Sequence, residues 1–298
     1  MPTTRATDLV EIPACQLCRS TELETLDAET CLRACTACGF VFDSPRPSPE
    51  AIAEFYSREG QYDGWLAAEP SRDRLWQRRL RIVLRHKRGG RLLDVGAGIG
   101  QFLDHARPYF AEVTGTEVSR SAIAVAKRQF GLRLHSGSLE TVSADALGLF
   151  DVITLFHVLE HVPDPGKALD CARELLSPGG VLVLAVPNDL DAAKQRIKAW
   201  LGRRGVERYR RLGSLVLPRL VLDGSTDEIH VSHFRVPVLR KALAARGFRT
   251  VAEMPDPYKV SSGAAETKDH ALWLVSVVVQ RLTGRNWYDA SLVIAVKS

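Results

Sequence analysis

The chain has 298 residues, 45% of them hydrophobic and 25% charged, enough to bury one large core or one core with a small satellite. A net charge of +5 is a mild excess that does not by itself mark a partner of polyanions. The longest uncharged apolar run, Ala271 to Val279, is too short to cross a bilayer, and residues 1–15 include Asp8 and Glu11 without a signal-like apolar core, so a cytoplasmic location is expected.

The first motif in chain order is a pair of CxxC units, Cys15 with Cys18 and Cys35 with Cys38, 16 residues apart. Each unit turns two sulfurs toward one point, and two such turns supply the closed tetrahedral set that zinc favours. Residues 1–44 therefore read as a four-cysteine zinc-binding module of zinc-ribbon type, with Gly39 in a tight turn and Cys31 as a spectator. A redox dithiol needs only one CxxC, and an iron centre of rubredoxin type would use the same four ligands. With four protein ligands the metal has no open position, which makes its role structural.

Residues 45–90 form a proline-rich joint and covering helices. Ser48 can cap a helix with Pro49 at its first position and Ala51, Ile52 and Phe55 on its apolar side. A second helix is expected from about Ser71 to Arg88, with Trp76, Leu80, Val83 and Leu84 at helical spacing. These two helices should cover an edge of the larger domain.

At Arg91 the pattern becomes RLLDVGAGIGQFLDHA, a short apolar strand, a glycine turn and a helix, the opening βα unit of a doubly wound domain. Gly96, Gly98 and Gly100 leave room for a ligand across the backbone, and the following helix points its N-terminus there. A second strand ends at Glu117, 21 residues beyond Gly96, where a carboxylate can accept from both hydroxyls of a ribose. The turn is GxGxG rather than the dinucleotide GxGxxG, and Asp94 stands before it, which suits a cationic ligand end better than a pyrophosphate.

LDVGAGIG, GTEVS, FDVITLFHVLEHVPDP and LLSPGGVLVLAVPN, in this order, resemble the motifs of the class I S-adenosylmethionine-dependent methyltransferases over about Arg91 to Ser298. CGFVFDSPRPSPEAIAEFY and HVSHFRVPVLRKALAARGF further resemble bacterial members with an N-terminal zinc module, many of which act on small molecules or cell-surface glycans. The resemblance implies that Asp94, Gly96 and Gly98 line the methionine end of S-adenosylmethionine, that Glu117 holds the ribose, and that Val118, Ser138 and Leu139 flank the adenine. Family members often carry an acid where Ser138 stands; a serine hydroxyl or a backbone carbonyl would take that contact here.

Ligands of an open α/β sheet lie outside the carboxyl ends of its strands, which brings Phe156, His157, Glu160 and His161 to the site. Methyl transfer gains most from holding nucleophile, methyl and sulfur in line, and a hydroxyl or amine acceptor can also need a base. His157 and His161 are the imidazoles nearest the expected methyl position, with His157 favoured, although capping and packing of the next helix would also account for them. His230 and His233 stand before a helix starting near Val236, as bases, acceptor contacts or loop anchors. A metal held by His230, His233, Asp227 and Glu228 would fit no firm ligand spacing.

Between them lies an insertion, about 189–233, expected to form a lid. Its basic residues in 194–219, interleaved with Ile197, Trp200, Leu201, Tyr209, Leu212 and Leu215, would suit a phosphate-bearing acceptor, peripheral contact with an anionic surface, or simply a solvated helix face. The chain then supplies a strand near Phe248 to Glu253, a helix across Ala271 to Arg281 and a final strand, ASLVIAVKS. The expected architecture is an α/β fold with a doubly wound, seven-stranded, mostly parallel Rossmann-like sheet in 91–298, whose last strand inserts antiparallel.

The leading functional expectation is methyl transfer from S-adenosylmethionine to a small-molecule acceptor, a sugar, nucleotide-sugar or secondary metabolite ahead of a macromolecule. An RNA methyltransferase gripping phosphates through zinc module and basic helices is the second reading. The strand-four motif FHVLEH lacks the Asn-Pro-Pro-Tyr type used on base amines, and Cys171 lies mid-helix, so nucleic acid is the weaker choice. The third is a non-catalytic S-adenosylmethionine-binding or protein-interaction module, which the intact glycine turn and Glu117 argue against.

Overall fold

The protein was analysed as a computed structural model that describes residues 9–27, 30–58, 65, 69–142, 147–210, 215, 217, 228–256, 258, 260 and 263–298. The N-terminal part contributes β1 (Leu9–Val10), β2 (Leu23–Asp27), β3 (Leu32–Cys35), β4 (Val41–Asp43) and β5 (Arg46–Pro47), then α1 (Pro49–Tyr56) and α2 (Glu69–His86). The large sheet starts with β6 (Arg91–Val95), α3 (Gln101–Ala106), β7 (Glu112–Glu117), α4 (Arg120–Phe130), β8 (His135–Ser136), β9 (Phe150–Phe156), α5 (Pro165–Leu175) and β10 (Leu176–Pro187). After it come α6 (Ala193–Arg203), α7 (Glu207–Arg210), β11 (Ser232–His233), α8 (Val236–Ala244), β12 (Phe248–Pro255), α9 (Ala264–Thr283) and β13 (Ala290–Lys297).

Seven strands form the central sheet in the order β12-β13-β10-β9-β6-β7-β8. β6 runs parallel to β7 and β9, and β9 to β10, whereas β13 is antiparallel to both β10 and β12, as the sequence pattern predicts. Two-faced burial explains the nearly unbroken apolar strands. Leu92, Val152 and Val183 point to one core, with Leu80, Val83 and Phe102; Leu93, Ile153 and Leu182 point to the other, with Leu169, Leu239 and Leu243.

That second core also contains Cys15, Leu17, Cys35, Phe40 and Phe42. Phe40 lies 5.6 Å from Phe42 and 5.3 Å from Phe234, ring centroid to ring centroid. The cysteine segment is built into the face of the α/β domain, and its four-stranded sheet, β11-β4-β3-β2, is completed by a strand nearly 190 residues away, Ser232 pairing with Phe42 and His233 with Val41.

Ser48 caps α1 through its side chain, accepting from the Ala51 N–H at 3.2 Å, with Pro49 at the first helical position. The covering helices divide their work differently from the expectation: α2 lies on a sheet face against Leu92 and Val152, while Ile52 and Phe55 of α1 pack with Ile229 and Val231 just before β11. Arg46 in the joint is 3% exposed and donates to the Pro163 carbonyl, tying the N-terminal part to the turn between β9 and α5. No described helix is long and apolar enough to cross a membrane.

Candidate active site

The glycine turn after β6 closes against the end of β7. Gly96 and Gly98 have φ of +64° and +55°, and a Cβ would come within 2.6 Å of Val158 at Gly96 and 2.8 Å of the Trp65 ring at Gly98, so only glycine fits either position. Glu117 anchors this turn by accepting the Gly98 N–H at 2.7 Å on one oxygen and the Ser119 N–H at 2.8 Å on the other. Burial raises its pKa against the pull of these amides. Each oxygen keeps a further lone pair for an outside donor. Arg72 lies with its guanidinium 3.8 Å above the Trp65 ring and donates to Gln101 at 2.9 Å; burial lowers its pKa to about 10, still well above neutrality.

A cleft of about 740 Å³ begins here and runs across the carboxyl ends of the strands. Gly96, Gly98, Glu117 and Val118 line one end, Phe156 and His157 the middle, and His161, Asp189, Lys194, Lys198, Glu228 and His230 the other. Its volume is ordinary for a small-molecule site holding two reactants.

Four of the expected site residues sit elsewhere. Asp94 is 4% exposed beneath the turn, where the Thr154 hydroxyl donates to it at 2.6 Å and burial raises its pKa to about 7. Gly100 begins α3 facing Leu132 and Ala126 rather than the cleft. Leu139 is buried in the main core, and the neighbouring Ser138 carbonyl accepts the Thr141 hydroxyl at 2.9 Å. None of these four lines the cleft.

His157 follows β9 in the left-handed region, φ +57°, an unusual backbone for a residue with a side chain. Its Nδ1 faces Glu160 at 3.2 Å and its Nε2 faces Asp256 at 3.4 Å. Burial works against the charged ring, but the carboxylates, Asp256 first, outweigh it and raise the pKa. Asp256 in turn forms a buried ion pair with Arg79, both side chains being at most 2% exposed. His161 differs: its Nδ1 lies 2.5 Å from the Ile229 carbonyl and 2.9 Å from the Tyr56 hydroxyl, and burial lowers its pKa. His230 sits between Asp189, 3.3 Å from its Nδ1, and Glu228, 3.6 Å from its Nε2, and despite burial these acids raise its pKa to about 10.

His233 lies outside the cleft. It is 6% exposed in β11 and pairs with Asp43 of β4 at 3.0 Å, so it joins the N-terminal sheet to the acceptor-side loop. Among the residues expected for a metal with His230, Asp227 lies outside the described residues, as does much of 211–227. Sequence reading missed Arg79, Asp189 and Asp256, which stand in three different loops and helices. Only tertiary contact gives them a shared role.

Cys15, Cys18, Cys35 and Cys38 converge, with every sulfur within 4.8 Å of the others. Cys15 and Cys38 are 3.6 Å apart and Cys18 and Cys35 3.5 Å apart. A tetrahedron with metal–sulfur bonds of about 2.3 Å has edges of roughly 3.8 Å, so the donor set fits zinc in chemistry and scale. Cys31 is not part of the cluster.

A family model described as a methyltransferase domain matches residues 68–253. Among curated relatives, a ubiquinone biosynthesis O-methyltransferase of Aromatoleum aromaticum is 29% identical over 54% of this chain and 65% of its own length. That of Psychrobacter cryohalolentis is 36% identical over 34% of this chain and 42% of its own. The chain thus spans about two fifths to two thirds of the relatives' lengths. Solved structures share the fold: an S-adenosylmethionine-dependent methyltransferase of Thermotoga maritima has a TM-score of 0.53 at 17% identity, covering 83% of this chain and 100% of that one. Magnesium protoporphyrin IX methyltransferase of Synechocystis with bound S-adenosylhomocysteine has 0.52 at 14%, covering 84% and 99%. The chain belongs to the class I S-adenosylmethionine-dependent methyltransferase family.

Proposed function

We propose that the protein transfers the methyl group of S-adenosylmethionine to a hydroxyl oxygen of a small acceptor that also carries an anionic group, such as an acidic phenol, a sugar phosphate or a nucleotide-sugar. The observation that carries this reading is the single cleft joining the glycine-turn end to the histidine end, with Lys194 and Lys198 on its acceptor side. The O-methyltransferase names of the curated relatives agree with it.

S-adenosylmethionine would supply an electrophilic methyl: as the acceptor C–O bond forms, the C–S bond breaks and sulfur keeps the electron pair. Glu117 is placed to accept the ribose hydroxyls and Arg72 to meet the methionine carboxylate. His157, held between two carboxylates that raise its pKa, is better suited to donate at the cleft wall than to act as a base. Loss of the acceptor proton is left to the His161 side of the cleft, where burial holds the imidazole pKa down, since the acids around His230 keep that ring protonated. The four-cysteine cluster is assigned a structural zinc ion.

Titration calorimetry with S-adenosylmethionine tests the first half, and release of S-adenosylhomocysteine over a panel of phenols and nucleotide-sugars tests the second. Absence of cofactor binding by folded, zinc-loaded protein would overturn the assignment.

A further inference from the structure

At the acceptor end of the cleft, three side chains from two separate segments bring ligand atoms close together. Glu160, His161 and His230 each offer one atom, all within 4.8 Å of one another. We propose that they form a second metal site, distinct from the cysteine cluster, that takes a divalent transition cation such as zinc, cobalt or nickel at the acceptor end of the cleft.

The groups behind the two imidazoles orient them toward Glu160. The Ile229 carbonyl can only accept, so His161 Nδ1, 2.5 Å away, carries the proton and Nε2 is left with a lone pair, 3.8 Å from Glu160 Oε1. Asp189 stands behind His230 in the same way, 3.3 Å from Nδ1, and a cation would take the place of the proton that Nε2 otherwise shares with Glu228. A carbonyl or carboxylate behind the far nitrogen is the usual support of a metal-bound imidazole.

Glu160 adds an independent sign. Its side chain is 1% exposed, yet its Oε2 has no hydrogen-bond partner among the described residues. A buried carboxylate oxygen without a donor is destabilising unless something positive meets it. Glu228 Oε2, 3.6 Å from His230 Nε2, stands where a fourth ligand could come from.

The frame is stiff. Val231 and Ser232 donate to the Glu160 carbonyl at 2.9 and 3.1 Å, and the Tyr56 hydroxyl accepts the Ile229 N–H at 2.9 Å, so the loop bearing His230 is fastened to the turn bearing Glu160 and His161. Two imidazoles with carboxylate suit borderline cations and disfavour magnesium. Three protein ligands leave a position facing the cleft, which His161 and His230 both line. A cation there would stabilise the deprotonated acceptor hydroxyl, the task left open above. That role rests on the proposed methyl transfer; the occupancy does not.

The test is metal stoichiometry in the full chain. Zinc-loaded protein is titrated with Co²⁺ and read by absorbance and by elemental analysis. Wild type should take up one further equivalent, showing weak nitrogen- and oxygen-ligand bands without thiolate charge transfer. His161→Gln and His230→Gln should lose that equivalent while keeping the zinc, and Asp189→Asn should weaken it about tenfold or more. Failure of wild type to bind a second equivalent overturns the site whatever the variants do, and so does its retention in both histidine variants with native circular dichroism. Thiolate bands would place the cobalt in the cysteine cluster and equally refute it. Cofactor affinity, measured on the same samples, reports separately on the methyl-transfer reading.

Discussion

Glu117 shows how one side chain can serve structure and binding together. Its oxygens hold the amides of Gly98 and Ser119, so removing it loosens the turn and, on the proposed function, also takes away the ribose acceptor. Glu117→Ala should weaken S-adenosylmethionine binding by roughly tenfold to a hundredfold in calorimetry, given about 1.5–3 kcal/mol for each hydrogen bond to a charged group. Asp256 carries a different burden, since Arg79 is buried against it. Asp256→Ala leaves that guanidinium unpaired and should lower stability by about 3–5 kcal/mol in denaturant unfolding, whereas Arg79→Met together with Asp256→Leu should lower it much less. If the two changes prove additive, the pair does not act as one unit.

At the scale of elements, β11 is short but ties two parts of the chain together. His233 has its pKa raised to about 9; burial opposes the charge, and Asp189 and then Asp43 outweigh it. An ordinary histidine titrates near about 6.5, so the raised value means that this contact stabilises the fold fully below that pH and fades as pH climbs through about 9. His233→Gln should therefore lower the melting temperature clearly at about pH 6 and by far less at about pH 10. The cysteine segment makes a similar point. Because Leu17, Phe40 and Phe42 share a core with Leu239 and Leu243, metal removal cannot be confined to the module. A strong chelator should lower the single unfolding transition by roughly ten degrees or more, and a separate early transition of the module alone would contradict the shared core.

For the whole molecule, the cleft runs from the turns after β6 and β7, the proposed cofactor end, to residues after β9, β10 and in the insertion, the proposed acceptor end. α6 contributes Lys194 and Lys198 to the wall and turns Ile197 and Trp200 outward. Charge reversal of Lys194 and Lys198 together should raise KM for an anionic acceptor about tenfold or more and leave cofactor affinity unchanged, which steady-state kinetics with calorimetry can separate. α9 is the other unusual surface, with Leu272, Leu274, Val275, Val278 and Leu282 exposed.

Local pattern carried a large part of this protein. The GxGxG turn, the acid ending β7, the Ser48-Pro49 helix start and the spacing within each CxxC are short-range signals, because each depends on backbone conformation or ligand spacing within a few residues. Asp94, Ser138 and Leu139, which the family resemblance set against the cofactor, and Gly100 of the turn do not line the cleft, since sequence position does not say what core packing buries. The histidines were legible as residues but not as chemistry. Whether an imidazole donates, accepts or binds a cation depends on the group behind its other nitrogen, and for His157, His161, His230 and His233 those groups are Asp256, Ile229, Asp189 and Asp43. For each of these four that partner lies more than 40 residues away, 190 in the case of His233, so the packing of the tertiary structure alone decided it.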